Sequence, residues 1–344
     1  MNEVTPTDTD PRLVLLTAWL ASCLGGRPLK VAPASADASF RRYFRVWDGN
    51  RTLVAMDAPP PQEDVRPFVA IARALERAGL NVPHVHEEDP ARGFLLLSDL
   101  GATHYLAALN AGTPPPELYG PAAEALLTMQ SHPELADGLP SYDRAALRRE
   151  VQLFPDWFLA RHLELTVDAG VSALIESTLE VLVTAALEQP VVFVHRDYHC
   201  RNLMVTPTRT PGILDFQDAL SGPVTYDLVS LYKDCYVRWP RSTVIAWVDQ
   251  YRSMAQAAGH VLADSAEFLR WFDLMGAQRH LKVLGIFARL WYRDGKASYL
   301  GDLPRVLDYV REVAAAYGEL AELRRFLEDE VAPRFVAAQR RVMP

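Results

Sequence analysis

Apolar positions along the first hundred residues change period several times. Leu13, Leu16 and Leu20 repeat at helical spacing behind Asp10-Pro11, a capping pair, and Gly25-Gly26 stops the run. Phe40 to Trp47 and Thr52 to Met56 read as strands around Asp48-Gly49-Asn50, a hairpin signal. Pro59-Pro60-Pro61 ends the hairpin, Val65 to Ala78 reads as a helix with Gly79 behind it, and Gly93 to Leu97 has the character of a buried strand. Ser98-Asp99-Leu100-Gly101 breaks the pattern, and beyond it helical periods dominate. The exception is a group of short β-rich runs, Val191 to Val194, Leu203 to Val205 and Ile213 to Leu214. The pattern predicts an α+β chain with a small sheet-rich lobe over residues 1–100 and a larger mainly helical lobe over residues 101–344. No internal repeat or low-complexity linker interrupts it.

Composition narrows the class without naming the chemistry. With 344 residues, 49% hydrophobic and 23% charged, the chain has ordinary globular content and enough length for about two domains. Its net charge of −8 argues against nucleic acid as a partner. The most apolar stretch, Val171 to Leu187, is interrupted by Glu176 and Glu180, and the amino terminus is acidic and polar. A cytoplasmic protein is therefore expected, with no membrane partner and no protein partner implied. Cys23, Cys200 and Cys235 are few and widely spaced, as reduced thiols are.

The chemistry sits in the exceptional segment. Val-His195-Arg196-Asp197-Tyr-His199-Cys200-Arg201-Asn202 has the spacing of a kinase catalytic loop, in which an Asp receives the acceptor hydroxyl's proton and an Asn five residues on holds magnesium. Asp215-Phe216-Gln217 then supplies a second metal-binding group. The physical need is plain: a hydroxyl is a poor nucleophile and a triphosphate repels negative charge, so a positioned carboxylate and hard-cation ligands are both required. Oxygen donors from Asn202 and Asp215 on separate segments suit magnesium, which keeps waters and takes few carboxylates. Either string alone reads equally well as turn or cap residues; both together, each beside a strand-like run, read as a site. His195, Asp197 and His199 also offer three ligands for a transition metal, but no partner cluster of His or Cys elsewhere completes a shell.

His195-Arg-Asp197 to Asn202, Asp215-Phe-Gln-Asp218 and Gly222-Pro223-Val-Thr-Tyr-Asp227-Leu228 resemble the aminoglycoside phosphotransferase family of small-molecule kinases across nearly the whole chain. Asp37-Ala-Ser39-Phe40-Arg41-Arg42-Tyr-Phe-Arg45, Met56-Asp-Ala-Pro-Pro60 and Gln278-Arg279-His-Leu-Lys282 are similar to a bacterial group within it that phosphorylates amino sugars at the anomeric position. The resemblance implies a protein-kinase-like bilobal fold, ATP with Mg2+, and N-acetylmuramate or N-acetylglucosamine as acceptor during cell-wall sugar recycling. It also implies that Asp197 is the catalytic base, that Asn202 and Asp215 hold metal, and that Asp227, with His195, braces the loop. Ser39, Phe40, Arg41 and Arg42 would cover the phosphates, and Leu97, Asp99 and Leu100 would meet adenine.

One departure stands out. Kinases place a lysine on the third small-lobe strand to grip phosphates, yet Val54-Ala55-Met56-Asp57 has none. Arg41, Arg42 or Arg45 could supply that charge. For the acceptor, Arg279, Lys282, Arg289 and Arg293 form one helical stripe that favours an anionic sugar if it reaches the site and otherwise faces water. His199, Arg201 and Asp218 flank the catalytic residues and are further candidates for sugar hydroxyls. An aminoglycoside, a choline-like alcohol or homoserine as acceptor stays open, as does a nucleotide-binding pseudokinase, prompted by the missing lysine.

Overall fold

The computed structural model describes residues 10–27, 29–36 and 40–342. They divide into two compact units: the residues up to Ala108 with Asn202–Asp218, and Leu109–Arg201 with the residues from Ala219 onward.

The first unit is built on an antiparallel sheet of five strands in the order β1-β2-β3-β5-β4. These are β1 (Lys30–Ala36), β2 (Arg42–Asp48), β3 (Arg51–Asp57), β4 (Val85–Asp89) and β5 (Phe94–Ser98), with α1 (Pro11–Cys23) before them and α2 (Arg66–Arg77) between β3 and β4. Asp10 caps α1 by accepting the amides of Arg12 and Leu13, the N-cap arrangement that Asp favours. Leu16, Trp19 and Leu20 of α1 then pack on Phe44, Val46, Leu53, Ala55, Phe94 and Leu96 of the sheet. The hairpin closes at Asp48↔Arg51, with Gly49 at φ +63°, a conformation glycine adopts without penalty. Strand β1 has no counterpart in the hydrophobic pattern. Its pairing with β2 shifts register between Pro33 and Ser35, and a proline with small residues at a sheet edge carries neither alternation nor β-branched bulk.

Asp57 ends β3 fully buried, ion-paired with both Arg12 and Arg42. Beside it, where the turn between β4 and β5 ends, the β3–β5 pairing is extended by the Ala58 amide donating to the Gly93 carbonyl at 2.8 Å. Gly93 has φ +74°, and a Cβ there would lie 1.9 Å from the Ala58 carbonyl oxygen. Gly93→Ala meets both a left-handed backbone and a backbone clash, and is expected to cost about 2–4 kcal/mol in urea unfolding. A loss under 0.5 kcal/mol would show that this turn relaxes freely.

The second unit contains α4 (Pro115–Gln130), α5 (Arg144–Val151), α6 (Ala169–Leu187), α7 (Tyr226–Tyr232), α8 (Arg241–Ala257), α9 (Ser265–Tyr292), α10 (Leu303–Ala316), α11 (Ala321–Phe326) and α12 (Ala332–Val342), while α3 (Tyr105–Asn110) spans the division. The 28-residue α9 is buried along most of its length and is packed by α5, α6, α7, α8 and α10. Helix α6 is long and apolar enough to cross a membrane. Its Ile175, Leu179, Leu182 and Val183 are buried, and its Glu176 and Glu180 pair with Arg148.

Two-stranded pairing of β6 (Val191–Val194) with β9 (Leu220–Pro223) delivers the loop that follows β6. Short α7 is buried at every residue, and Lys233 at its end is locked 3.1 Å from Asp273 of α9. The hairpin of β7 (Leu203–Met204) and β8 (Gly212–Ile213) belongs to the first unit. There the Val205 amide donates to the Thr103 carbonyl and the Ile213 amide to the Asn81 carbonyl, both at 2.8 Å. The architecture is thus a small antiparallel-sheet unit and a larger mainly helical one, the protein-kinase-like class that the sequence pattern and resemblance predict.

Candidate active site

In the second unit, β6 ends at Val194 and the chain enters the loop through buried His195. The loop is held by two Asp side chains. Asp227 accepts the His195 amide at 2.6 Å and the Arg196 amide at 3.0 Å, one on each oxygen. Asp234 accepts the Cys200 amide at 2.9 Å and the Tyr236 amide at 3.0 Å. Arg196 sits at φ +77°, a left-handed conformation costly for a non-glycine residue. Its guanidinium is anchored 2.6 Å from Glu150, so the bend is fixed at both backbone and side chain. The Asp197 amide donates to His195 Nδ1 at 3.3 Å, which puts that imidazole's proton on Nε2.

Asp197 is partly exposed at the crest of this loop. Burial works against its charge, but His199, Arg279, Lys282 and His195 surround it and hold its carboxyl below the usual range. Arg279 and Lys282, both on α9, converge on the Tyr226 hydroxyl at 3.3 and 3.1 Å. Lys282 also donates to Glu150 at 2.8 Å, and Tyr142 donates to the other Glu150 oxygen. The expected cationic stripe therefore divides: Arg279 and Lys282 are buried around Glu150 and Tyr226, while exposed Arg293 pairs with its neighbour Asp294. His199 meets the Tyr236 ring edge-on at 5.5 Å between centroids, and Arg201 lies over the same ring at 3.6 Å.

The first unit brings Asn202 and Asp215 together. The Leu214 amide donates to the Asn202 carbonyl at 2.9 Å, and the Asn202 side chain donates to Asp215 Oδ2 at 3.2 Å. Asp215 stands at φ +64°, which short polar side chains tolerate better than others. Phe216, buried after it, packs on Phe68 of α2 at 4.8 Å between centroids. Gln217 donates to Asp215 Oδ1 at 2.8 Å and reaches Asp218 at 3.4 Å. An amide oxygen and a third-exposed carboxylate side by side suit a hard divalent ion completed by water and phosphate oxygens. Among the described residues no group of three or more His, Cys, Asp or Glu side chains forms a metal cage, so the His195, Asp197, His199 alternative has no site.

The remaining small-unit candidates separate by partner. Arg42 is tied to Asp10 and Asp57. Arg45 is tied to Asp99 at 2.7 Å, and Asp99 also accepts the Gly101 amide at 2.9 Å. Arg41 lies 3.6 Å from Asp215. Exposed Phe40 donates its amide to Glu63 at 3.2 Å. Leu97 is buried in β5 and Leu100 packs toward Gly212. Ser39 lies outside the described residues.

Sequence reasoning missed Asp234 and Glu150. Asp234 falls seven residues, two helical turns, after Asp227 and so could have been sought on the same face. Glu150 carries no local signal, since it reaches the loop from a helix 46 residues upstream.

The profile of the "phosphotransferase enzyme family" matches residues 30–264. An "N-acetylmuramate/N-acetylglucosamine kinase" of Pseudomonas aeruginosa is 52% identical over 329 residues, covering 92% of this chain and 96% of its own. A protein of that name from Neisseria meningitidis is 42% identical, covering 93% and 96%. Among solved structures, aminoglycoside phosphotransferase APH(2'')-Ib with bound ADP superposes with a TM-score of 0.60 at 14% identity, over 89% of this chain and 99% of that one.

Proposed function

The chain belongs to the phosphotransferase enzyme family, and from that premise we propose that it is an ATP-dependent kinase that phosphorylates the anomeric hydroxyl of N-acetylmuramate and N-acetylglucosamine. The observation that carries the reaction type is Asp197, its carboxyl held below the usual range on a doubly braced loop near Arg279 and Lys282, and followed five residues later by the Asn202–Asp215 pair. Support for the acceptor comes from the near full-length relatives at 52% and 42% identity that carry the name of such a kinase. Cell-wall sugar recycling in the cytoplasm is the setting that this acceptor implies.

In this reading Asp197 accepts a hydrogen bond from the sugar's C1 hydroxyl and turns its oxygen toward the γ-phosphorus. A bond forms from that oxygen to phosphorus, the bond from phosphorus to the β,γ-bridging oxygen breaks, ADP leaves with its electron pair, and the hydroxyl proton passes to the Asp197 carboxylate. Asn202 and Asp215 would hold Mg2+, which when bound supplies positive charge to the phosphate oxygens. Leu97, Asp99 and Leu100 contribute the main chain that meets adenine. His199, Arg201 and Arg279 are the proposed contacts to the sugar, with Asp218 beside the metal pair; Lys282, tied to Glu150 and Tyr226, supports the loop. Arg42, bound to Asp10 and Asp57, is assigned to holding the sheet.

The test is product identity. The chain with ATP, Mg2+ and N-acetylmuramate is expected to give a sugar phosphate whose C1 carbon shows coupling to phosphorus by NMR. Phosphate at C6 would reject the anomeric assignment and keep the kinase. Turnover with an aminoglycoside, choline or homoserine but not with either amino sugar would reject the acceptor class.

A further inference from the structure

We infer that Arg201, stacked on the Tyr236 ring, binds the carboxylate of the acceptor and so determines specificity for N-acetylmuramate, an inference that rests on the acceptor reading proposed above. N-Acetylmuramate differs from N-acetylglucosamine only by a lactyl ether on O3, which ends in a carboxylate. Its recognition needs a cation near the base yet displaced from it, because the ether leaves the ring at C3 and the reacting hydroxyl is at C1. Arginine suits the task, since its planar fork matches both carboxylate oxygens at once.

The cations around the loop sort themselves by what holds them. Arg196 is bound to Glu150 at 2.6 Å and Lys282 to the same oxygen at 2.8 Å. Arg279 and Lys282 meet at the Tyr226 hydroxyl and help to hold the Asp197 carboxyl below its usual range. Their charge is committed to the loop. Arg201 is different: it is exposed, and among the described residues its guanidinium has neither a hydrogen bond nor an ion pair with the chain. What it has is the Tyr236 ring, 3.6 Å from its central carbon. At that distance atoms are already in contact, so the planar group lies along the ring rather than standing on it. Such a stack uses the face of the guanidinium and leaves its N–H donors, which lie in its plane, to a further acceptor.

One anchor fixes both members of the stack. Buried Asp234 accepts the Cys200 amide on one oxygen at 2.9 Å and the Tyr236 amide on the other at 3.0 Å, which ties the residue before Arg201 to the ring that carries it. Phe287 of α9 backs that ring at 6.4 Å between centroids. His199 meets the same ring edge-on at 5.5 Å, and His199 is among the groups that lower the Asp197 carboxyl. The ring thus links the Arg201 charge to the surroundings of the base. Because the guanidinium is already restrained, less side-chain freedom is lost when a carboxylate docks on it.

Selectivity separates this role from a structural one. Initial rates at saturating MgATP are measured for the wild-type chain, Arg201→Gln and Arg201→Lys with N-acetylmuramate, its methyl ester and N-acetylglucosamine. For the wild type, esterification is expected to raise KM by about 10–100-fold, the range of a lost charge-assisted contact. In Arg201→Gln the acid and the ester should have KM values within about threefold of each other, and the ratio of kcat/KM for N-acetylmuramate over N-acetylglucosamine should fall about 10–100-fold. Arg201→Lys recovers part of that ratio. A wild type that uses ester and acid equally overturns the assignment without any variant, and so does an Arg201→Gln chain that keeps the wild-type ratio. Equal losses on all three acceptors also overturn it, since they mark an effect on fold or chemistry. Turnover of neither amino sugar by the wild type overturns the acceptor reading itself, and the Arg201 assignment with it.

Discussion

Asp197→Asn is expected to lower turnover by about 10²–10⁴-fold while leaving MgATP affinity within threefold. The range is what a positioned general base contributes. The substitution preserves the shape of the side chain and removes its charge and proton-accepting power, so the loop keeps its brace from Asp227 and Asp234. Wild-type Asp197 is held below the ordinary carboxylate range by His199, Arg279, Lys282 and His195 against the opposing effect of burial. A base so stabilised takes the proton late, and most of its effect is to orient the hydroxyl for in-line attack. Two measurements check this: initial rate by ADP release, and MgATP affinity by titration. A variant within tenfold of wild type would remove Asp197 from the chemistry.

How much of this was legible beforehand depends on whether a residue's job is local. The loop and its metal pair lie within 21 residues, from His195 to Asp215, and their residue types follow from what phosphoryl transfer needs, so spacing alone exposed them. Helix α1, the β2–β3 hairpin, α2 and β5 were equally open, because periodicity and glycine or proline punctuation agreed there. Strand β1 and the attachment of the β7–β8 hairpin, whose two short β-rich runs were legible, were closed for the opposite reason. One is bulged and proline-bearing, and the hairpin's strands are two residues long and joined to the first unit by the Thr103 and Asn81 carbonyls. Partner choice among charges was the least legible feature. Arg41, Arg42 and Arg45 are interchangeable in a string, and only Asp57, Asp99 and Asp215, each more than ten residues away, tell them apart. The stripe on α9 was legible only as a face: a 3.6-residue period places Lys282 on it but says nothing of Glu150 opposite it.

The second large effect is expected at Asp227, which touches none of the proposed reactants. Asp227→Ala removes the acceptor of two amides, the buried one of His195 and the part-buried one of Arg196. Each orphaned donor costs about 1–3 kcal/mol, and Arg196 loses one of the two restraints that hold its left-handed backbone. Unfolding free energy should fall by about 2–5 kcal/mol, and kcat by about 10²–10³-fold, since a displacement of about 1 Å at the base has that effect. MgATP affinity should move far less, because Asn202 and Asp215 are held by their own hairpin. Asp227→Asn keeps one carbonyl oxygen and is expected to lie between wild type and Ala. Comparing it with wild type also gives a pH test of known sign. Burial pushes the Asp227 carboxyl up to about 7, against the pull of the two amides, above the value near 4 of an unfolded Asp. Between those values the unfolded chain has already released the proton while the folded chain retains it. The stability contributed by this group is therefore full below about pH 4 and is lost as pH rises toward 7. Asn has no such dependence, so the stability gap between wild type and Asp227→Asn should narrow from pH 5 to pH 7.5 in urea unfolding. A gap that widens over that interval would mean that Asp227 enters the fold as a carboxylate stabilised by its amides, with burial the weaker influence.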